Sequence, residues 1–224
     1  MIRQYTKPGR MHQCTGIDNQ DFSAFLENDH YFFAAIADGA TACRHSAQGA
    51  QIACRTALEY AQAHMDHLWQ FSQEKIAYLL LEQIRTALTR HANALGHRPE
   101  DYASTLSLCC YQKSQGKLLL FQLGDSPILY LPQGSGAGIS LMPTFHPGGC
   151  PLTMTRDGYK AARVLQLSSL EAGRLLLCTD GIPKVCTQQT LCTLDPQALS
   201  GLLDAAENQD DCSFISVSLH QLRK

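Results

Sequence analysis

The chain has 224 residues, of which 45% are hydrophobic and 17% are charged, and this composition excludes a disordered protein. Its formal charge is −2, so there is no basic excess to neutralise nucleic-acid phosphates, and we expect no nucleic-acid partner. Because no apolar stretch approaches the length of a membrane span and the first residues lack the apolar block of a signal peptide, we expect one soluble, cytoplasmic domain over residues 1–224 with no membrane partner.

The first two predicted strands form a hairpin. Residues 1–20 are polar and turn-rich, and the alternation of apolar and polar residues over 22–26 then predicts a strand. Residues 27–30 are typical of a turn, and the apolar run over 31–37 indicates a strand that is buried on both faces. This run ends at Asp38. A carboxylate at the end of a buried strand is costly unless a positive charge meets it, so Asp38 predicts a nearby cation.

Two long helices are predicted after this hairpin. Ser46 is a typical N-cap, and the helix that follows it should extend to about Met65. From Ser72 to about Leu95, apolar residues recur on one stripe, which predicts a second and longer helix. Gly96 follows that stripe and is typical of a helix end.

The rest of the chain combines short strands with short helices. Strands are predicted over 104–112, 117–125, 127–133, 174–179 and 212–219, and helices over 182–187 and 196–206. The segment 144–160 is rich in Pro and Gly and predicts a long surface loop; loops of that length are usually functional or mobile. Two long helices among many short strands predict an α+β fold, with helices outside an antiparallel sandwich.

Acidic residues recur at the ends of the predicted strands or in the adjoining turns. They are Asp21, Asp38, Asp125, Asp180 and Asp211. No histidine or cysteine accompanies them at metal-ligand spacing, and carboxylates alone favour Mg²⁺ or Mn²⁺ over zinc. Two such ions about 3.5–4 Å apart, bridged by a carboxylate, form the arrangement in which a bridging hydroxide attacks phosphate esters. A single Asp-Gly pair is also a common turn dipeptide, so this prediction depends on several strand ends together.

An ordered set of motifs gives the chain a resemblance to a known family. The motifs are NQD at 19–21, ADG at 37–39, SAQGAQIAC at 46–54, STLSL at 104–108, LGDS at 123–126, LLLCTDG at 175–181 and DDCSFISVSL at 210–219. Together they resemble the type 2C metal-dependent serine/threonine protein phosphatases, and they are most similar to the compact bacterial branch. The resemblance implies an antiparallel two-sheet β-sandwich with helices on both outer faces.

The resemblance also implies a role for each acidic position. Asp38 matches the aspartate that bridges two Mn²⁺ or Mg²⁺ ions, and Gly39 matches the glycine whose carbonyl faces one of them. Asp180 and Asp211 match the remaining ligands of the first ion. Asp21 matches the residue that contacts metal-bound waters and orients the nucleophile.

Two further features of the family have counterparts in this chain. Asp125 matches a residue that is linked, in bacterial members, to a third and weaker ion. The Pro- and Gly-rich segment from about 144 to 160 falls where the family places a mobile flap beside the site.

Two positions depart from the family pattern. Ala40 stands where some members carry a histidine that protonates the leaving alkoxide; a metal-bound water, or His146 on a closed flap, are the alternatives. Gly16 stands where many members carry a phosphate-binding arginine. The candidates to replace that arginine are Arg10, Arg44 and Arg156.

The resemblance implies a phosphomonoester hydrolase that acts on phosphoserine and phosphothreonine proteins and opposes a serine/threonine kinase in signalling. One alternative is a catalytically weak or inactive phosphoprotein-binding module on the same fold, and another is a metal-stabilised structural domain. The carboxylates of Asp38, Asp180 and Asp211 favour the hydrolase, because a binding module does not need three costly buried carboxylates.

Overall fold

The computed structural model describes residues 2–134, 137–142, 152–155, 158–170 and 172–222. Within these residues the strands are β1 (Ile2–Lys7), β2 (Asp21–Glu27), β3 (Tyr31–Asp38), β4 (Leu106–Gln112), β5 (Lys117–Leu123), β6 (Ile128–Pro132), β7 (Ile139–Met142), β8 (Arg163–Leu167), β9 (Gly173–Cys178) and β10 (Cys212–Ser218). The helices are α1 (Arg10–Thr15), α2 (Ser46–Leu68), α3 (Gln73–Leu95), α4 (Gly158–Ala161), α5 (Gly181–Val185), α6 (Gln188–Thr193), α7 (Pro196–Ala205) and α8 (Leu219–Leu222), and a 3₁₀ turn covers Pro99–Tyr102.

The strands form two five-stranded antiparallel sheets, with the orders β2-β3-β4-β5-β8 and β1-β10-β9-β6-β7. One apolar core lies between the sheets, a second lies under α2 and α3, and a third lies under α5, α6 and α7. The predicted α+β fold, a two-sheet sandwich with helices on both outer faces, is therefore confirmed.

The strand β3 shows why these residues form a central strand. Phe33 and Ala35 pack in the core under α2 and α3, whereas Phe32, Ala34 and Ile36 pack in the core between the sheets. Successive side chains of a strand point to opposite faces, so a strand between two cores must be apolar at every position. The uninterrupted apolar run in the sequence reflects this double burial.

The two long helices begin and end close to their predicted limits. Ser72 is the N-cap of α3, where its side chain accepts a hydrogen bond from the N–H of Lys75 at 3.3 Å. Gly96 ends the same helix in the left-handed conformation. Ser46, in contrast, is the first residue of α2 rather than its N-cap, and its hydroxyl has no partner among the described residues.

Some elements do not follow from the sequence patterns. The strand β1 and the helix α1 lie in the polar segment before residue 20, where no element was predicted, and β8 and α6 were also missed. β1 is an edge strand with no buried residue, so it carries little of the apolar pattern that marks strands. Most of the predicted flap at 144–160 lies outside the described residues. Among the described helices, none combines the length and apolar character that crossing a membrane requires.

Candidate metal centre

Asp21 and Asp38 lie opposite each other at one end of the β2–β3 hairpin. Asp21 is the first residue of β2, Asp38 is the last residue of β3, and the antiparallel register pairs them. Thr105 fixes the backbone of Asp38: its Oγ1 accepts from the Asp38 N–H at 2.9 Å, and its N–H donates to the Asp38 carbonyl at 2.8 Å. Sheet pairing therefore brings two predicted site residues together.

Asp21 is buried and Asp38 is half-buried, and both lie near other negative charges. Burial, and next the charge of Asp21, raise the pKa of Asp38 well above its usual range. Burial also raises the pKa of Asp21, although the hydroxyl of Thr179 donates to its Oδ2 at 2.8 Å. The Oδ1 atom of Asp21 is buried without a hydrogen-bond partner among the described residues. Among the described residues, neither carboxyl group forms an ion pair with a lysine or arginine in the structure.

A second pair of aspartates, Asp180 and Asp210, lies close to this hairpin. Asp180 precedes α5 and Asp210 precedes β10 by two residues. The Nζ of Lys184 is 2.5 Å from Oδ2 of Asp180 and 2.6 Å from Oδ2 of Asp210. Burial raises the pKa of Asp180, and Lys184 offsets this shift only in part. The charges of both aspartates raise the pKa of Asp38, which shows that the two pairs lie near each other.

Asp125 borders the same group of carboxylates. It follows β5, and its charge raises the pKa of both Asp38 and Asp180. Together with Asp180 and Lys184 it lines a cavity of about 460 Å³. The structure thus brings Asp125 to the edge of the centre formed by the other aspartates.

Asp211 is placed differently from the other predicted ligands, because protein donors already occupy both its oxygens. Its Oδ1 accepts from the N–H of Gly9 at 2.7 Å and lies 2.8 Å from Nδ1 of His12. Its Oδ2 accepts from the N–H of Gln20 at 2.6 Å, and the residue is only 3% exposed. Asp211 therefore holds the N-terminal segment against the start of β10. Its neighbour Asp210 also has a donor at each oxygen, the Asp211 N–H at Oδ1 (3.0 Å) and Lys184 at Oδ2, but its side chain is 37% exposed. This exposure favours Asp210 over the buried Asp211 as the carboxylate that a cation can reach.

Gly39 occupies a position that a side chain would not fit. Its N–H donates to the carbonyl of Gln20 at 3.1 Å, and it pairs with Ser104 in an isolated bridge. A Cβ atom at this position would lie 2.7 Å from the backbone carbonyl carbon of Ser46. The glycine thus lets α2 begin directly beside the carboxylates. That its carbonyl contacts a metal ion stays a prediction.

The donor set fits hard divalent ions. Several carboxylates lie around Asp38, and the buried Oδ1 of Asp21 has no hydrogen-bond partner among the described residues. Lys184 forms ion pairs with two of these carboxylates. Oxygen donors with excess negative charge select Mg²⁺ or Mn²⁺. Within the described part of the chain, no three His, Cys, Asp or Glu side chains are already grouped as an assembled metal site. This agrees with Asp180 and Asp210 being paired to Lys184.

The residues expected to contact phosphate are only partly described. Arg10 forms a surface ion pair with Glu207 at 2.7 Å, and Arg44 is exposed in the loop before α2. Arg156 and His146 lie outside the described residues. A cavity of about 700 Å³ opens beside the centre and is lined by Lys184 and Asp210, among others. Lys184 thus borders both cavities next to the carboxylates.

Sequence reasoning missed Asp210 and Lys184. Asp210 and Asp211 are consecutive, so strand-end spacing alone does not distinguish them. The distinction comes from Gly9, His12 and Gln20, which are remote in the chain and take up the oxygens of Asp211. Lys184 lies four residues after Asp180, the spacing at which side chains on a helix meet, and this signal was available in the sequence.

The family follows from comparison with known proteins. The model of the protein phosphatase 2C family matches residues 8–200, which is most of the chain. The chain therefore belongs to this family, as the motif resemblance predicted. Among curated protein sequences, none matches it significantly.

Solved structures of bacterial phosphatases have the same fold. A bacterial serine phosphatase is 14% identical with a TM-score of 0.71, and the alignment covers 97% of each chain. RsbX in complex with magnesium is 12% identical with a TM-score of 0.66, over 96% of this chain and 92% of RsbX. The serine/threonine phosphatase of S. agalactiae is 18% identical with a TM-score of 0.64, over 96% of this chain and 98% of that one. At these identities the likeness shows the fold.

Proposed function

We propose that the chain is a phosphatase that depends on Mn²⁺ or Mg²⁺ and removes phosphate from phosphoserine and phosphothreonine side chains of proteins. The observation that carries this proposal is the cluster of buried and half-buried carboxylates around Asp38 at one end of the sandwich, in a chain of the protein phosphatase 2C family. Buried carboxylates that repel one another destabilise a fold unless a cation compensates them.

The proposed ligands are four aspartates and one glycine. Asp38 would contact both ions; the support is that it pairs with Asp21 across the hairpin and that the charges of Asp180 and Asp210 raise its pKa. We propose Asp210 as the ligand in place of Asp211, whose oxygens are occupied by protein donors. The carbonyl of Gly39 and the carboxylate of Asp125 complete the set, Asp125 for a third and weaker ion.

The ions, when bound, supply a nucleophile from water at neutral pH and neutralise charge on the phosphoryl group. The role of the chain is to position and orient. The hydroxyl of Thr179 holds Asp21, whose Oδ1 has no hydrogen-bond partner in the described part of the chain, so Asp21 can accept a hydrogen bond from the attacking water and orient it. Thr105 keeps the Asp38 backbone in place through two hydrogen bonds.

The proposed substrate is a phosphorylated protein, and the proposed opposing enzyme is a serine/threonine kinase. The open cavity of about 700 Å³ beside Asp210 can admit a side chain presented on a protein surface. RsbX, with the same fold, was solved in complex with magnesium, which supports this choice of ion.

The test is turnover of p-nitrophenyl phosphate and of a phosphothreonine peptide with MnCl₂, with and without a chelator. We expect metal-dependent turnover that falls at least about 100-fold in Asp38→Asn, since Asp38 is the proposed ligand of both ions and its loss weakens the binding of the ions that supply the nucleophile. The matched control is Asp29→Asn, an exposed aspartate in the turn at the opposite end of the same hairpin. This variant should retain wild-type turnover.

Two outcomes would contradict the proposal. Manganese-dependent turnover that is unchanged in Asp38→Asn would show that this centre is not the active site. Absence of turnover in folded wild-type protein that still binds a phosphopeptide would favour the phosphoprotein-binding module instead.

A further inference from the structure

Lys184 pairs with two carboxylates from different parts of the chain. It is the fourth residue after Asp180 on the first turns of α5, so the helix itself brings the two side chains together. Asp210, by contrast, comes from the loop before β10 and reaches the same ammonium group at 2.6 Å. Asp210, which is remote in the sequence, thus adds a second carboxylate to the ion pair that forms between Asp180 and Lys184.

The ammonium group occupies the oxygens that a divalent ion would use. Its Nζ is 2.5 Å from Oδ2 of Asp180 and 2.6 Å from Oδ2 of Asp210, so it contacts both carboxylates directly through charge-assisted hydrogen bonds. Lysine is charged at neutral pH, so an ammonium and a divalent ion on the same two carboxylates repel each other. We therefore expect the ammonium group and the divalent ion to compete for these carboxylates.

The lysine is free to leave. Its side chain is 51% exposed, it sits on a flexible four-carbon stem, and cavities lie on both sides of it. Exposed ion pairs are weak, so displacement is within reach of a divalent ion that gains the same two carboxylates.

We propose that Lys184 is a built-in cation of this centre, which pairs with Asp180 and Asp210 in the metal-free protein and competes with the divalent ion that binds there. The inference rests on the proposed function, because it assigns Asp180 and Asp210 as metal ligands. It implies that the two divalent ions bind with different affinities. The ion held by Asp180 and Asp210 binds against the lysine, whereas the side chains of Asp38 and Asp21 have no such competitor among the described residues.

The test is isothermal titration calorimetry of the full chain with MnCl₂ at low ionic strength. Lys184→Gln should bind the weaker Mn²⁺ about tenfold more tightly than wild type, since two exposed ion pairs no longer oppose it. Lys184→Arg retains the charge and should stay within about twofold of wild type. The matched control is Lys113→Gln, which removes a lysine paired with Glu27 at 2.6 Å, at the end of the β2–β3–β4 sheet opposite the end that carries Asp21 and Asp38. This variant should bind Mn²⁺ like wild type.

The result separates this inference from the proposed function. Mn²⁺ that binds wild type and Lys184→Gln with equal affinity, or that binds Lys184→Gln more weakly, would overturn the competition while leaving the metal centre intact. Absence of Mn²⁺ binding in wild type and in every Lys184 variant would overturn both. Mn²⁺ binding that is gained only in Lys184→Gln would support the competition in its strongest form.

Discussion

Asp210 and Asp211 are neighbours in the chain, and the structure gives them opposite roles that two alanine variants can separate. Asp211 is buried and accepts hydrogen bonds from the N–H groups of Gly9 and Gln20, while its other contact is His12. Asp210 is about a third exposed and pairs with Lys184. We expect Asp211→Ala to destabilise the fold and Asp210→Ala to weaken metal binding.

The cost of Asp211→Ala follows from the three contacts that it removes. A hydrogen bond to a charged group contributes about 1.5–3 kcal/mol, and a buried donor left without a partner costs about 1–3 kcal/mol. These contributions are not additive, and water entering the space left by the carboxylate would satisfy part of the donors. We therefore expect a loss of about 4 kcal/mol, and for a domain of this size a fall in Tm of roughly 10 °C.

Asp210→Ala should behave in the opposite way. It removes a partly exposed ion pair, which is worth about 1 kcal/mol or less, and the hydrogen bond that its Oδ1 accepts from the Asp211 N–H at 3.0 Å, a donor that water can reach at this partly exposed position. It also relieves repulsion from Asp38, whose pKa the charge of Asp210 raises. The free energy of unfolding should therefore change by less than about 1 kcal/mol, while Mn²⁺ affinity falls at least about tenfold because a ligand is lost.

Urea unfolding followed by circular dichroism gives the stability change, and calorimetric titration with MnCl₂ at 15 °C gives the affinity. If Asp211→Ala leaves stability unchanged and abolishes Mn²⁺ binding, while Asp210→Ala binds Mn²⁺ normally, then Asp211 is the ligand. In that case the hydrogen bonds from Gly9 and Gln20 to Asp211 would not stabilise the fold. The conclusion that the buried Asp211 is a structural residue would then be refuted.

Two further predictions concern the carboxylates and the glycine beside them. Because burial raises the pKa of Asp38 and Asp21 in the folded state, the folded chain binds more protons than the unfolded chain above about pH 4, so the metal-free protein should lose stability as pH rises from 5 to 8. Thermal unfolding in EDTA checks the sign, and a Tm that increases over this range, or a slope unaffected by Asp38→Asn, would contradict it. Gly39→Ala should destabilise the fold by about 1–3 kcal/mol, because its Cβ would meet the Ser46 backbone at 2.7 Å. Gly201→Ala is the control: no atom lies within 4 Å of its Cβ in α7, so the helix should gain about 0.5–1 kcal/mol, and equal effects of the two substitutions in urea unfolding would argue against close packing at Gly39.

Much of the fold follows from local patterns. The stripe of Ile76, Leu80 and Leu88 defines α3, and its ends are marked by Ser72 and Gly96, so period and caps agree. The central strand β3 is similarly clear because both its faces are buried. The strand β1 lacks such a pattern, because its residues are half-buried or exposed at a sheet edge. It forms by pairing with β10, which is remote in sequence. Edge strands depend on partners that local sequence does not describe.

The candidate centre shows the same division. The residue types predict a cation site, because a carboxylate at the end of a buried strand needs compensation wherever it is found. The residue types do not say what compensates the negative charge of the carboxylate, and this chain shows two different cases close together. Asp211 is satisfied by protein donors that arrive from the N-terminal segment, and Asp21 keeps an oxygen with no partner among the described residues.

The decisive quantity is therefore how many donors the fold delivers to each carboxylate. Two backbone N–H groups and a histidine reach Asp211, so its charge is already compensated and a metal ion would gain little there. Asp38 receives only repulsion from its neighbours and so gains most from a divalent ion. Of the two consecutive aspartates, Asp211 thus stabilises the fold and Asp210 belongs to the candidate centre. The donors that distinguish them come from the N-terminal segment, at the other end of the chain.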